Sequence, residues 1–225
     1  MTPIPLHKGL FGRPASFPEV CEPLEEVGAA QPPAAAAALA FALGRIAAAQ
    51  DPRSVALVTT ADWLRERGRP FARGLAGWGA GSELLVWVRT DKEAQALWAL
   101  EEALRSGALA GGLALVQHPA FVATRRLEFA AWTMGVLMRV GPAQDLNAAL
   151  RRWRIASRPS ATALFDAAAP GPVRLRAELV RRRDGPPGGW DLEQDNETGR
   201  LHLDARLADH GVDAARTGPP AHVAA

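Results

Sequence analysis

Residues 26–35 read EVGAAQPPAA and lie between a short apolar segment and an alanine-rich one, where a nucleotide-binding domain carries its phosphate loop. A P-loop places Gly, four variable residues and then Gly-Lys-Ser/Thr between a strand and a helix. Gly28 holds the first position, but Pro33, Ala34 and Ala35 hold the last three. The lysine for the phosphates and the hydroxyl for magnesium are missing, and the prolines remove N–H donors. We predict the architecture of a nucleotide-binding domain without its phosphate chemistry.

The segments around this stretch alternate between predicted strands and predicted helices. A short strand is predicted at 24–27, and continuous apolar runs, typical of strands covered on both faces, occur at 55–58, 84–88, 113–116 and 136–140. Helices are predicted between them over 34–49, within 62–73, after 90 and over 123–134. This alternation implies right-handed crossovers and a mainly parallel sheet. The predicted class is therefore α/β.

The helix after residue 90 has the clearest signals. Thr90 and Glu93 fit a capping box, and Gly107 fits a left-handed C-terminus. One face is lined by three leucines, Leu97, Leu100 and Leu104. We also predict that Asp62 caps the preceding helix and that Gly135 ends the following one.

Beyond residue 150 the pattern changes to short strands at 153–156, 173–180, 190–193 and 201–203, separated by Pro/Gly turns. This predicts an antiparallel extension. The expected organisation is an irregular lead-in (1–20), a domain (21–204) with a core to about 150 and the extension over about 151–204, and a disordered tail (205–225).

Composition limits the class of protein. The 225 residues are 48% hydrophobic, enough for one buried core, and contain neither an apolar run of membrane-spanning length nor the order of a signal peptide. A single cysteine, Cys21, suits a reducing cytoplasm. The five histidines lack zinc-ligand spacing, so no metal or other cofactor is predicted.

Charge is unevenly distributed. Residues 139–183 carry 10 arginines against 3 acids, and residues 184–225 carry 3 arginines against 8 acids. Two interpretations stay open: a surface for an anionic partner, or intramolecular pairing between the two blocks. Only two lysines occur, so compositional bias of the genome accounts for part of the arginine excess.

Arginines that flank an aromatic residue are candidates for binding DNA or a protein partner. Trp153 lies among Arg151, Arg152 and Arg154, an arrangement that can follow a phosphate backbone while stacking on a base. The alternative is an edge strand with Trp153 inward and Arg152 and Arg154 outward. The other candidates are Arg125, Arg126, Arg181, Arg182 and Arg183, of which the last three also fit a solvated turn. Three other tryptophans are predicted core residues, Trp87, Trp98 and Trp132.

The order of these segments resembles the ImuA family. The resemblance rests on residues 24–28, the alanine-rich helix, 55–58, 84–89, 123–127 and 152–154 and above all on LWALEEALRSG at 97–107, and it extends over about residues 20–205. It implies a RecA-like fold and a role in the damage (SOS) response, in induced mutagenesis and translesion DNA synthesis. The implied partners are the polymerase-like protein ImuB and an error-prone DnaE-type polymerase, with RecA and single-stranded DNA as further candidates.

RecA-like ATPases carry an acid after the second core strand and another after the next. Here Thr59, Thr60 and Ala61 follow the second strand, and Gln117 and His118 follow the next. Since the lysine, the hydroxyl and the magnesium-side acid are all missing, we predict no enzyme but a non-catalytic accessory or adaptor protein. Two alternatives stay open, a single-strand DNA-binding protein or regulator of RecA filaments, and a residual ATPase with an unusual phosphate site.

Overall fold

The computed structural model describes residues 17–71, 74–75, 85–141, 147–160, 162, 169–183, 185–195, 198 and 200–203. The predicted tail at 205–225 and most of the predicted lead-in lie outside these residues.

The described strands form one mixed sheet. They are β1 (Leu24–Ala29), β2 (Val55–Thr60), β3 (Leu85–Thr90), β4 (Gly111–Leu115), β5 (Met134–Val140), β6 (Arg151–Arg158), β7 (Arg174–Arg182), β8 (Gly188–Gln194) and β9 (Leu201–Leu203). Their order across the sheet is β3-β2-β4-β5-β1-β6-β7-β8-β9. The first six strands are parallel, and β7, β8 and β9 are antiparallel. The α/β class is confirmed.

One boundary within the sheet differs from the prediction. The antiparallel extension was expected to begin at residue 151, but β6 pairs in parallel with β1, with Val27 opposite Trp153. The antiparallel part begins only at β7. The interpretation of β6 as an edge strand is wrong for the same reason, because β6 lies between β1 and β7.

Helices cover the parallel part of the sheet on both faces. They are a 3₁₀ turn (Pro32–Ala34), α1 (Ala35–Ala47), α2 (Ala61–Arg67), α3 (Glu93–Arg105) and α4 (Phe121–Ala130). Phe41, Leu43 and Ile46 of α1 pack on one face of the sheet. Leucines of α3 and α4 pack on the other, Leu97, Leu100, Leu104 and Leu127. Burial on both faces explains why β2, β4 and β5 read as continuous apolar runs.

The ends of α2 and α3 use other caps than predicted. Thr60, not Asp62, caps α2, since its Oγ1 accepts the backbone N–H of Trp63 at 3.1 Å. At α3 the predicted Thr90 and Glu93 capping box is replaced by Gln95, whose Oε1 accepts the N–H of Lys92 at 3.2 Å. The left-handed C-terminus is confirmed, because Gly107 has φ 64°.

Helix α4 ends before the predicted position. It stops at Ala130, and Gly135 lies inside β5. A Cβ on Gly135 would lie 2.8 Å from Leu104 Cδ1, so glycine at this position permits close packing of α3 on the sheet. The prediction that Gly135 ends a helix is therefore wrong.

Two of the three tryptophans predicted as core residues are on the surface. Trp98 is 58% exposed and Trp132 81% exposed, whereas Trp87 is half-buried beside the core. The prediction that Trp98 and Trp132 are core residues is therefore wrong.

Candidate functional site

The connection from β1 to α1, where the sequence predicts the position of a degenerate P-loop, is short. Gly28 lies within β1, opposite Arg139 of β5 and Arg154 of β6. Only Ala30 and Gln31 separate the strand from the 3₁₀ turn at Pro32–Ala34, which continues directly into α1. This leaves no loop long enough to surround a triphosphate.

The backbone donors of this connection are already used. Ala30 N–H donates to Ile155 O at 2.8 Å, Ala34 N–H donates to Gln31 O at 2.9 Å, and Ala35 N–H donates to Pro32 O. Pro32 and Pro33 have no N–H to offer. A P-loop holds phosphates with such groups, so the connection lacks the donors as well as the lysine.

The two positions for catalytic acids hold no carboxylate suited to that role. Thr60 ends β2 and caps α2, and Asp62 is exposed and paired with Arg65 of its own helix. After β4, the Gln117 side chain donates to Val140 O at 2.6 Å. Glu93 reaches this edge from α3, but its carboxylate accepts the N–H of His118 at 2.9 Å and that of Gln117.

Beneath this edge, β1 carries two fully buried carboxylates on opposite faces of the sheet. Glu25 faces α1, where Arg45 Nη2 donates to its Oε1 at 2.7 Å and Arg45 Nε to its Oε2 at 3.1 Å. Trp153 Nε1 donates to Oε2 at 2.8 Å, and the N–H of Glu22 donates to Oε1 at 3.1 Å. These bonds use most of the acceptor capacity of Glu25, as a buried charge requires.

Glu26 faces the layer of α3 and α4. Asn147 Nδ2 donates to its Oε2 at 2.7 Å, the side chain of Arg152 also bonds Oε2, and Arg139 lies 3.3 Å from Oε1. Sequence reasoning missed both carboxylates. The only sequence signal for this buried site was a pair of acids inside a predicted strand. The partners of these acids could not be inferred, because they lie up to 128 residues away in the chain.

The network of Glu25 also holds residues 17–22 in place. Arg45 Nη1 donates to Pro18 O at 2.6 Å, Arg45 Nη2 donates to Val20 O at 3.3 Å, and Arg151 also donates to Val20 O. Cys21 Sγ donates to Arg45 O at 3.2 Å, and burial raises the pKa of this thiol. Part of the predicted lead-in is therefore integrated into the fold.

Removal of residues 1–20 should destabilise the protein, although the sequence predicts only an irregular lead-in there. It would remove Phe17, whose ring lies 5.7 Å from Trp153, and the carbonyls that accept from Arg45 and Arg151. Each buried donor left unsatisfied costs about 1–3 kcal/mol. Urea unfolding should give a clearly lower midpoint for a chain starting at residue 21 than for one starting at residue 17. Equal midpoints would contradict these contacts.

The predicted DNA-binding arginines of β6 have partners within the chain. Arg151 is buried and pairs with Glu22 at 2.9 Å, and Arg152 pairs with Glu26. Trp153 is 1% exposed and lies against Phe41, so stacking on a base would require it to leave the core. Arg154 is exposed and pairs with Glu178.

On the face of the sheet away from α1, arginines of β6 and β7 pair with acids of β8. Arg176 lies opposite Asp191, and Arg174 lies opposite Glu193, each at 2.7 Å. Arg158 is 3.3 Å from Asp191. The basic block thus meets acids of the following block, which confirms the interpretation as intramolecular pairing for these residues.

The remaining candidates lie on α4 and at the end of β7. Arg126 pairs with Glu101 of α3, Arg125 pairs with Glu128 at 2.9 Å, and Arg183 is 3.5 Å from Glu128. Arg181 and Arg182 are the last two residues of strand β7, opposite Arg152 and Arg151. The structure does not gather the nine candidates into one basic surface.

Two further properties concern only the part of the chain that the structure describes. No group of three or more His, Cys, Asp or Glu side chains in it could bind a metal ion. None of its helices has the length and apolar character needed to cross a bilayer.

Comparison with known proteins places this α/β chain in a family. It is 38% identical over 173 residues to Protein ImuA of Caulobacter vibrioides, in strain NA1000 / CB15N and in strain ATCC 19089, with 69% of this chain and 70% of the relative covered. The chain therefore belongs to the ImuA family, as the resemblance indicated. No family model matches it. Among solved structures, SulA from Pseudomonas aeruginosa aligns with 53% of this chain and 98% of its own, at 23% identity and TM-score 0.41.

Proposed function

We propose that this chain is a non-catalytic accessory protein in damage-induced mutagenesis and translesion DNA synthesis, acting in the cytoplasm with an ImuB-like protein and an error-prone DnaE-type polymerase. Membership of the ImuA family supports the process. The observation that carries the non-catalytic role is the connection from β1 to α1, whose N–H groups at Ala30, Ala34 and Ala35 are bonded within the chain. A domain without its site chemistry has binding as its remaining function.

We also propose that the sheet is a RecA-like core that has lost its phosphate loop. Strand β1 lies inside the sheet between two parallel neighbours, β5 and β6, and leads directly into α1. That is the order of strand, loop and helix in which a P-loop occurs. The shortened connection and its prolines account for the loss of the phosphate site.

The proposal predicts that the protein does not bind ATP with useful affinity. Ala34 and Ala35 replace the residues that contact phosphate and magnesium, and Pro32 and Pro33 offer no N–H. Titration calorimetry of the full chain with magnesium-ATP should give no dissociation constant below about 100 μM, equivalent to about 5.5 kcal/mol of binding. Tighter binding, or magnesium-dependent turnover abolished by a substitution in this connection, would favour the residual ATPase.

Assembly with the partner is tested by capture. The tagged full-length chain should retain the purified ImuB-like protein, while a tagged unrelated protein should not. Retention of single-stranded DNA without any protein partner, with an affinity that falls as salt rises, would support the DNA-binding alternative in place of the adaptor.

A further inference from the structure

Three arginines at one end of the sheet have no carboxylate partner among the described residues. Arg67 lies in the last turn of α2, Arg69 lies two residues beyond it, and Arg89 lies in β3, the first strand in the order across the sheet. All three are exposed. Other exposed arginines, such as Arg105 and Arg154, pair with acids at the surface. The first three therefore keep a positive charge that no neighbouring acid neutralises.

Tryptophan rings, in place of acids, hold two of these arginines. Arg69 Cζ lies 4.9 Å from the centroid of the Trp87 ring, and Arg67 Cζ lies 6.0 Å from that of Trp63. A cation–π contact of this kind orients a guanidinium without removing its charge. The contact at Trp87 also joins the segment that follows α2 to strand β3. The two elements therefore contribute to one surface.

Arg89 lies on the same side of β3 as Trp87. Side chains two positions apart in a strand point to the same face, about 7 Å from one another along the strand. Since Arg69 contacts the Trp87 ring, Arg69 and Arg89 lie on one side of this strand. We call Arg67, Arg69, Trp87 and Arg89 the α2–β3 surface.

Positive charge exceeds negative charge around the α2–β3 surface. On α2, Asp62 pairs with Arg65, which leaves Glu66 as the one other acid of that helix. Strand β3 contains no acid, and Asp91 and Lys92, which follow it, are opposite in charge. A surface of this kind attracts a polyanion.

We propose that the α2–β3 surface binds single-stranded DNA. Its arginines can contact phosphates without first leaving an acid. Bases can stack on the guanidinium of Arg69, which the half-buried ring of Trp87 supports, because guanidinium planes and aromatic rings both stack on bases. An acidic protein segment would use the charges but not the ring. The inference goes beyond the proposed function, which assigns only protein partners, and rests on it solely for the choice of DNA over RNA.

The inference is tested with the full-length chain and a labelled thymidine oligonucleotide of about 20 nucleotides, longer than a typical single-strand site. Affinity is measured over a range of salt concentrations for wild type and for a triple variant, Arg67→Ala, Arg69→Ala and Arg89→Ala. The salt slope should fall by roughly 0.7 for each lost phosphate contact, or about 2 in all. The same relation predicts a loss of affinity of roughly 100-fold at about 0.1 M salt.

A second variant tests the ring separately from the charges. Trp87→Leu keeps apolar bulk in β3 and should weaken binding at least about fivefold while the salt slope stays close to that of wild type. The matched control removes three other exposed arginines, each of which already pairs with an acid, Arg105, Arg154 and Arg158. Their replacement by alanine removes the same formal charge and should change the affinity by less than about threefold.

The outcomes distinguish this surface from the adaptor function. Unchanged affinity and salt slope in the triple variant would show that the α2–β3 surface does not bind DNA. If the wild-type chain captures the ImuB-like protein but not the oligonucleotide, the inference is wrong and the adaptor function stands. If it binds the oligonucleotide through this surface but captures no such partner, the inference stands and the adaptor function is wrong. Equal competition by polyglutamate would assign the surface to an acidic protein, and tighter binding of the equivalent uridine ribonucleotide chain would assign it to RNA; either result overturns the inference.

Discussion

Replacing Glu25 with alanine should destabilise the protein by about 3–5 kcal/mol, because it leaves a buried cation without its partner. Arg45, itself 4% exposed, would lose both of its bonds to the carboxylate, and Trp153 Nε1 would lose its acceptor. The loss of stability comes from the uncompensated charge of Arg45. Replacing Glu25 and Arg45 together with apolar residues of similar size should therefore cost much less than the single substitution.

The matched control for this substitution is Glu102→Ala. Glu102 lies on the surface of α3 and is 3.3 Å from Arg105, and such exposed pairs contribute about 0–1 kcal/mol. Urea unfolding of the two variants measures the difference. A loss below about 1 kcal/mol for Glu25→Ala, equal to the control, would show that the carboxylate is not buried as described.

Replacing Trp153 with alanine should cost a comparable amount, about 3–5 kcal/mol, for a different reason. Its ring centroid lies 5.0 Å from Phe41, 5.7 Å from Phe17 and 5.9 Å from Trp190, so truncation opens a cavity among aromatic rings. The same substitution removes a hydrogen bond to Glu25. The effects of Glu25→Ala and Trp153→Ala should therefore not add, as expected for residues in contact.

Trp132→Ala is the matched control, because it removes a tryptophan side chain that lies on the surface. Because Trp132 is 81% exposed, this variant should unfold within about 0.5 kcal/mol of wild type. If instead Trp153→Ala were neutral and Trp132→Ala destabilising, the two tryptophans would have exchanged roles, and β6 would not lie where the structure places it.

The strands that sequence predicts well are apolar along most of their length and covered on both faces of the sheet. Val55–Thr60 and Met134–Val140 are buried on both faces, so their composition alone indicates a parallel strand. Strand β1 was predicted as four residues where it has six. The burial of its two acids could not be predicted locally, because the partners that make it tolerable, Arg45, Asn147 and Trp153, are distant in the chain.

The candidate site likewise has features that the local sequence shows and features that depend on the tertiary structure. The absence of a P-loop lysine and hydroxyl is a local property of residues 28–35 and is visible in the sequence directly. Which arginines are free for a partner is a tertiary property. Arg151 and Arg154 have the same composition around them, yet one is buried beside Glu22 and the other is exposed beside Glu178. Periodicity likewise could not show that α4 leaves Phe129 uncovered, because nothing in the helix itself records which neighbours pack against it.

The central claim is that this ImuA-family chain acts in damage-induced mutagenesis through assembly. The most direct measurement is the frequency of induced mutations after DNA damage in a strain lacking the chain, with and without the wild-type chain restored. We expect the deletion to reduce the induced frequency to near the uninduced level and the restored chain to recover it. An induced frequency that is the same with and without the chain would contradict this account.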